Sequence, residues 1–230
     1  MVHRVPAVAH ARGVRRVSPG RRRHPRGVAA LRPLNAALAA VAFLALSVAV
    51  ALGLTRSIDA ATLDAFQRAA NPVLDLVGSI LTVFGHFEVT ALVAIALAAI
   101  AWRRGGISGT VPLLLFVAVA VELALKLVLT QPLPPSPLDR DLGLIPNANV
   151  DTPFSFPSGH VLRATFLAAL VTPARMPWIA LAVVLVLAMA ISRIYLAEHW
   201  LSDTLGGALL GLVFALPARP PYFDAWRRVR

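Results

Sequence analysis

Long apolar runs separated by short polar breaks dominate the chain, where a soluble domain would show amphipathic stripes. Residues 34–54 carry no charge over 21 positions. That is long enough to cross ~30 Å of hydrocarbon and longer than the apolar core of a signal peptide, so it reads as an uncleaved first span. Residues 56–72 are polar and mildly amphipathic, as expected of a surface helix on the outer side, and 73–84 continue as a short helix interrupted by Asp75. Gly85-His86 breaks the pattern, and 87–102 form the second span. It ends in the basic turn Arg103-Arg104-Gly105-Gly106. Residues 110–130 make the third span, with Glu122 and Lys126 one helical turn apart near its far end. Proline and asparagine crowd 131–156, which predicts an outer loop. Then come a fourth span over 157–172, a tight turn around Arg175, the apolar part of a fifth over 178–191 and a sixth over 203–216. The expected fold is all-α, a six-span integral membrane helical bundle.

Composition agrees, with 58% hydrophobic residues and a mean hydropathy of +0.74. The net charge of +11 is unevenly placed: nine arginines precede Leu34, and Arg227, Arg228 and Arg230 close the chain. Cytoplasmic flanks of spans collect Lys and Arg, so the basic ends predict that both termini are cytoplasmic, and they do not call for nucleic acid as a partner. The expected organisation is a disordered basic tail over 1–33, a membrane domain over 34–218 and a second basic tail over 219–230. The first tail reads as a topology signal, with binding to anionic headgroups as the other reading. The chain has no cysteine, which excludes disulfides, thiolate catalysis and Cys-ligated metal.

The chemistry concentrates at residues 192–203, where Ser192, Arg193, Glu198, His199 and Asp203 adjoin apolar sequence. Each ionisable group in a span costs roughly 2.5–3.5 kcal/mol on insertion scales, a cost accepted where charge must be handled. His199 and Asp203 are four apart and share a helical face, so the carboxylate can orient the imidazole. Arg193 lies about 240° from His199 on a continuous helix, so a bend or helix end must intervene if both meet one anion. The expected topology puts Lys126, His160, Arg193 and Asp203 on the same outer side, with His160 and Arg193 recessed below the surface. Two cations and a helix start at Pro157-Ser158-Gly159-His160 suit a phosphate. Two histidines allow one to attack phosphorus and the other to protonate the leaving oxygen. Taken singly, Lys126 also reads as a snorkelling side chain, Ser158 as a helix cap and His160 as an interfacial histidine.

Pro157-Ser158-Gly159-His160 and Ser192-Arg193, His199 and Asp203 resemble the second and third signature motifs of the type 2 phosphatidic acid phosphatase superfamily, membrane relatives of vanadium haloperoxidases. The third motif is complete, and the likeness runs from about Leu34 to Leu216. It implies that His199 is the nucleophile that forms a phosphohistidine, that Asp203 orients it, and that His160 is the general acid. Lys126, Ser158, Gly159 and Arg193 would hold the phosphoryl oxygens, with no metal or other cofactor. The first motif departs: where the family shows Lys, six residues, then Arg-Pro, Lys126 is followed by Leu133-Pro134, and Gln131 stands where another arginine is common. Arg163, one turn beyond His160, is the candidate to supply the missing guanidinium; pairing with Glu122 or Glu198 is its other reading.

The expected function is therefore metal-independent dephosphorylation of a lipid phosphate or diphosphate on the extracytoplasmic face of the cell membrane. Its partners are the bilayer and a lipid substrate, a polyprenyl (di)phosphate or a glycerophospholipid phosphate. The alternative is a catalytically degenerate lipid-phosphate binder, which would lack the phosphohistidine. A small anion transporter is a third class, against which stands the absence of an internal repeat.

Overall fold

The structure is a computed structural model. It describes residues 26–103, 107–146, 152–173 and 175–218, with side chains outside 26–32 and 107–108. Eight α-helices follow one another: α1 (Arg26–Ala51), α2 (Arg56–Arg68), α3 (Pro72–Val83), α4 (Phe87–Arg103), α5 (Leu114–Val128), α6 (Gly159–Val171), α7 (Met176–Tyr195) and α8 (Leu201–Ala218). Short 3-10 turns lead into α5 and interrupt the long loop after it. The fold is all-α, as the apolar runs predict.

Among the described residues, five segments are long and apolar enough to cross a membrane: Pro33–Ala51, Pro72–Arg103, Gly109–Val128, Met176–Tyr195 and Leu201–Ala218. The expected fourth span differs. Helix α6 has 13 residues and extends about 20 Å, short of the ~30 Å core. Its shortness is tolerated because neighbouring helices rather than lipid surround it: Val161, Leu162, Phe166 and Leu170 are fully buried. Helix α1 also starts earlier than the expected boundary at Leu34, at Arg26. The rest of the expected N-terminal tail, and the C-terminal tail over 219–230, lie outside the described residues.

Helix boundaries follow local chemistry. Gly53 takes the left-handed conformation (φ 70°) that ends α1. Asn71 caps α3, its side chain accepting from the amides of Val73 and Leu74 at 3.1 Å each, with Pro72 at the first helical position. Helices α6 and α8 pack along each other through glycine. A Cβ at Gly207 would press on the Ser158 carbonyl, and one at Gly211 would lie 2.7 Å from the Leu162 carbonyl. The start of α6 is held further by the Ser158 amide donating to the Asp203 carbonyl at 2.9 Å.

The loop after α5 runs across the same end of the bundle. The Arg140 amide donates to the Leu196 carbonyl (3.1 Å), and its guanidinium reaches Gln67 Oε1 (2.7 Å) and Asp75 Oδ2 (3.7 Å). The Leu142 amide donates to Ser79 Oγ at 3.0 Å. Residues 131–146 are thus a strap tied to α2, α3 and the turn after α7.

Candidate active site

The turn between α7 and α8 resolves the angular separation of Arg193 and His199. Helix α7 stops at Tyr195, and Ala197 takes a left-handed φ of 59°. The Glu198 and His199 amides both fold back onto the Arg193 carbonyl, at 3.1 and 3.2 Å. This is the helix end that the spacing requires. His199 Nδ1 then lies 3.3 Å from Asp203 Oδ2, which also accepts from the Trp200 amide at 2.8 Å. Asp203 is wholly buried, so its carboxylate fixes both the ring and the first turn of α8. One turn of α2 supports it from behind: buried Asp59 accepts from the Ser202 amide (2.9 Å) and hydroxyl (2.7 Å).

A cavity of about 520 Å³ opens beside these groups, and Lys126, Gly159, His160, Arg163, Arg193 and His199 all line it. Three helices, α5 to α7, and the turn before α8 thus deliver these sequence-picked residues to one place. Ser158 and Asp203 sit just behind the wall, both fully buried. Ser158 Oγ makes no capping bond, and Lys126 is buried with its ammonium 3.4 Å from both Glu122 Oε1 and Thr152 Oγ1. Capping and snorkelling therefore do not account for these two residues. At Gly159 a Cβ would meet the Glu122 carboxylate and lie 2.8 Å from Arg163 Nη1, so a larger residue would push both of these side chains aside.

The two arginines are differently placed. Arg193, 2% exposed, donates through Nη1 to Thr82 Oγ1 and through Nη2 to Glu198, while its buried Nε has no hydrogen-bond partner. Arg163 clamps the Gly85 carbonyl with Nε (3.0 Å) and Nη2 (2.8 Å), and its Nη1 lies 3.7 Å from Glu122 Oε2. The Glu122 pairing admitted by the sequence is present, and the same guanidinium also borders the cavity. His160 stacks edge-on to His86 with centroids 5.6 Å apart, and its buried Nε2 has no hydrogen-bond partner.

Several contributors were not picked out as site residues by sequence. Glu198 and Thr152 line the cavity, Thr82 holds Arg193, and the Gly85 carbonyl holds Arg163. Polar Thr82 and His86 beside a glycine break inside the 32-residue apolar segment Pro72–Arg103 were the available signal. Leu133, in the position of the missing arginine, is 49% exposed and lines the cavity.

Electrostatics favour a neutral imidazole at the site. Burial, with the charges of Lys126 and Arg193 nearby, holds His199 well below the ordinary histidine value. Burial pushes the Glu198 carboxyl up to about 7 against the pull of Arg193, with Asp141 adding to the rise. Among the described residues, no three His, Asp or Glu side chains converge as a metal site.

Residues 107–227, 121 of the chain's 230, match the profile of the PAP2 superfamily. No curated protein matches the chain. Among solved structures, it is similar to a transmembrane PAP2-type phosphatidylglycerolphosphate phosphatase from Bacillus subtilis, with a TM-score of 0.65 at 23% identity over 85% of this chain and 98% of that one. It is also similar to LpxE from Aquifex aeolicus, with a TM-score of 0.54 at 21% identity over 70% of this chain and 94% of that one. The two likenesses extend the shared fold well beyond the matched segment, and the signature residues fall within that segment. This multi-pass membrane protein belongs to the PAP2 superfamily.

Proposed function

We propose that the protein is a metal-independent lipid phosphate phosphatase working through a phosphohistidine. The observation that carries this reading is the single cavity shared by Lys126, His160, Arg163, Arg193 and His199, with Asp203 against the imidazole of His199. With Nδ1 turned to Asp203, Nε2 of the neutral ring is the nucleophile. It attacks phosphorus as the bond to the leaving oxygen breaks, and His160 gives that oxygen its proton. Water then attacks the phosphohistidine, giving its proton to His160, and inorganic phosphate leaves. Lys126, Arg163, Arg193, the Ser158 hydroxyl and the backbone amide at Gly159 take up charge developing on the phosphoryl oxygens.

The lipid is a polyprenyl (di)phosphate or a glycerophospholipid phosphate. Its apolar part finds Phe87, Val119 and Leu123 on the cavity wall. Six crossings, counting α6, put both termini on the cytoplasmic side and the cavity toward the extracytoplasmic face, in keeping with the arginine-rich ends. One observation favours the degenerate binder instead: the apolar Leu133 at the cavity. A single experiment separates the two readings. Purified protein with a chelator present is assayed for phosphate release from polyprenyl diphosphate, phosphatidic acid and phosphatidylglycerol phosphate, beside His199→Ala. Release that the substitution abolishes supports the phosphatase; lipid binding without release supports the binder.

A further inference from the structure

Glu198 occupies a position at odds with an anion site. It lines the same cavity as His160 and His199, and its Oε2 takes the Nη2 hydrogen of Arg193. Of the Arg193 donors, Nη1 is spent on Thr82 and only Nε has no hydrogen-bond partner. A phosphoryl group that approaches the edge formed by Nε and Nη2 therefore competes with Glu198 for Arg193. The strap adds negative charge at the same place. The Arg140 amide bonds the carbonyl of Leu196, two residues before Glu198, so the strap and its Asp141 lie beside the turn that carries Glu198. His86 lies beyond, within the field of Arg193 and Asp141. Where the family shows an arginine this cavity has Leu133, so that position offers a second phosphoryl group no cation.

We propose that Glu198 is a specificity-determining residue: it holds Arg193 until a phosphoryl group takes its place, and together with Asp141 it makes the cavity accept a lipid phosphate monoester in preference to a diphosphate. This rests on the phosphatase reading above. A monoester places its one phosphoryl group among Lys126, Arg163 and Arg193. A diphosphate brings further negative charge outward, against Glu198, Asp141 and Leu133.

The test uses the full chain in detergent with chelator, at a pH well above the value of about 7 where Glu198 titrates. Calorimetry gives the Kd of inorganic phosphate and of pyrophosphate for wild type, Glu198→Gln and Asp141→Asn. The wild type is expected to bind phosphate at least about tenfold more tightly than pyrophosphate, since like charges brought together oppose binding. Both variants should narrow that ratio by tightening pyrophosphate most, a change that general loosening of the fold would not produce. Equal affinities in the wild type, or equal gains for both anions in both variants, overturn the proposal. A parallel comparison of phosphatidic acid with polyprenyl diphosphate should show the same order, expressed in KM. No turnover of either lipid with the anion ratio intact would overturn the phosphatase reading and leave the gate standing.

Discussion

Asp203 shows how little a side chain must do to matter. Its Oδ2 meets both the His199 ring and the Trp200 amide, so one carboxylate oxygen sets the tautomer of the imidazole and the start of a helix. Asp203→Asn preserves the volume but offers an amide where an acceptor is needed. Turnover should fall by about 10³- to 10⁴-fold with substrate binding nearly kept, as kcat and KM on a lipid phosphate would show. His199 carries a second consequence. Its folded-state value lies below the unfolded one, so its neutral form contributes stability that is complete above the ordinary histidine value of about 6.5 and is lost as pH falls below it. Glu198 runs the other way. Raised to about 7, its contribution is present in acid and is lost as pH rises through that value. Thermal denaturation against pH should therefore show His199→Gln gaining on wild type as pH falls below about 6.5, and Glu198→Gln gaining on wild type as pH rises toward about 7.

At this scale the spacing of Arg193, His199 and Asp203 was readable because a helix fixes which residues share a face. The counter-charges were not. Arg163 meets Gly85, and Arg193 meets Thr82, across 78 and 111 residues of chain, and contacts of that kind leave no periodic trace. The sequence offers Glu198 as a partner for Arg163, but the fold-back of its amide onto the Arg193 carbonyl pairs its carboxylate with Arg193 instead.

Among the elements, α6 and α8 set the precision of the site. Their approach at Gly207 and Gly211 aligns His160 with His199, because the Ser158 carbonyl sits where a Cβ on Gly207 would be. Gly207→Ala should cost about 1–3 kcal/mol in a denaturation series and lower kcat more than it raises KM. Asp59 on α2 acts at the other side of α8. Asp59→Ala leaves the Ser202 amide and hydroxyl without their buried acceptor, and a loss of about 1–3 kcal/mol should appear in the same series. The apolar runs located α4, α5, α7 and α8 within a few residues but began α1 eight residues late, and Pro72 with Asn71 marked the start of α3. They overstated the fourth span, since hydrophobicity alone does not tell a helix facing lipid from one enclosed by other helices. The strap was legible as a loop from its prolines, but its ties to α2 and α3 were not.

For the molecule as a whole, membrane character and the all-α class followed from composition and run length, while the grouping of helices around α6 is a tertiary fact. That enclosure has a consequence for how the protein is made. A segment of 13 residues carrying His160 and Arg163 is too short and too polar to settle in lipid on its own. The bilayer can receive it only once α7 and α8 are there to cover it, so the final quarter of the chain must be synthesised before the second signature motif acquires its environment. In a chain ended just after Val171, a cysteine placed at Thr165 should react with a water-soluble thiol reagent, and in the full-length chain it should be protected. The active site would then be the last part of this protein to enter the membrane, assembled by its own C-terminal helices.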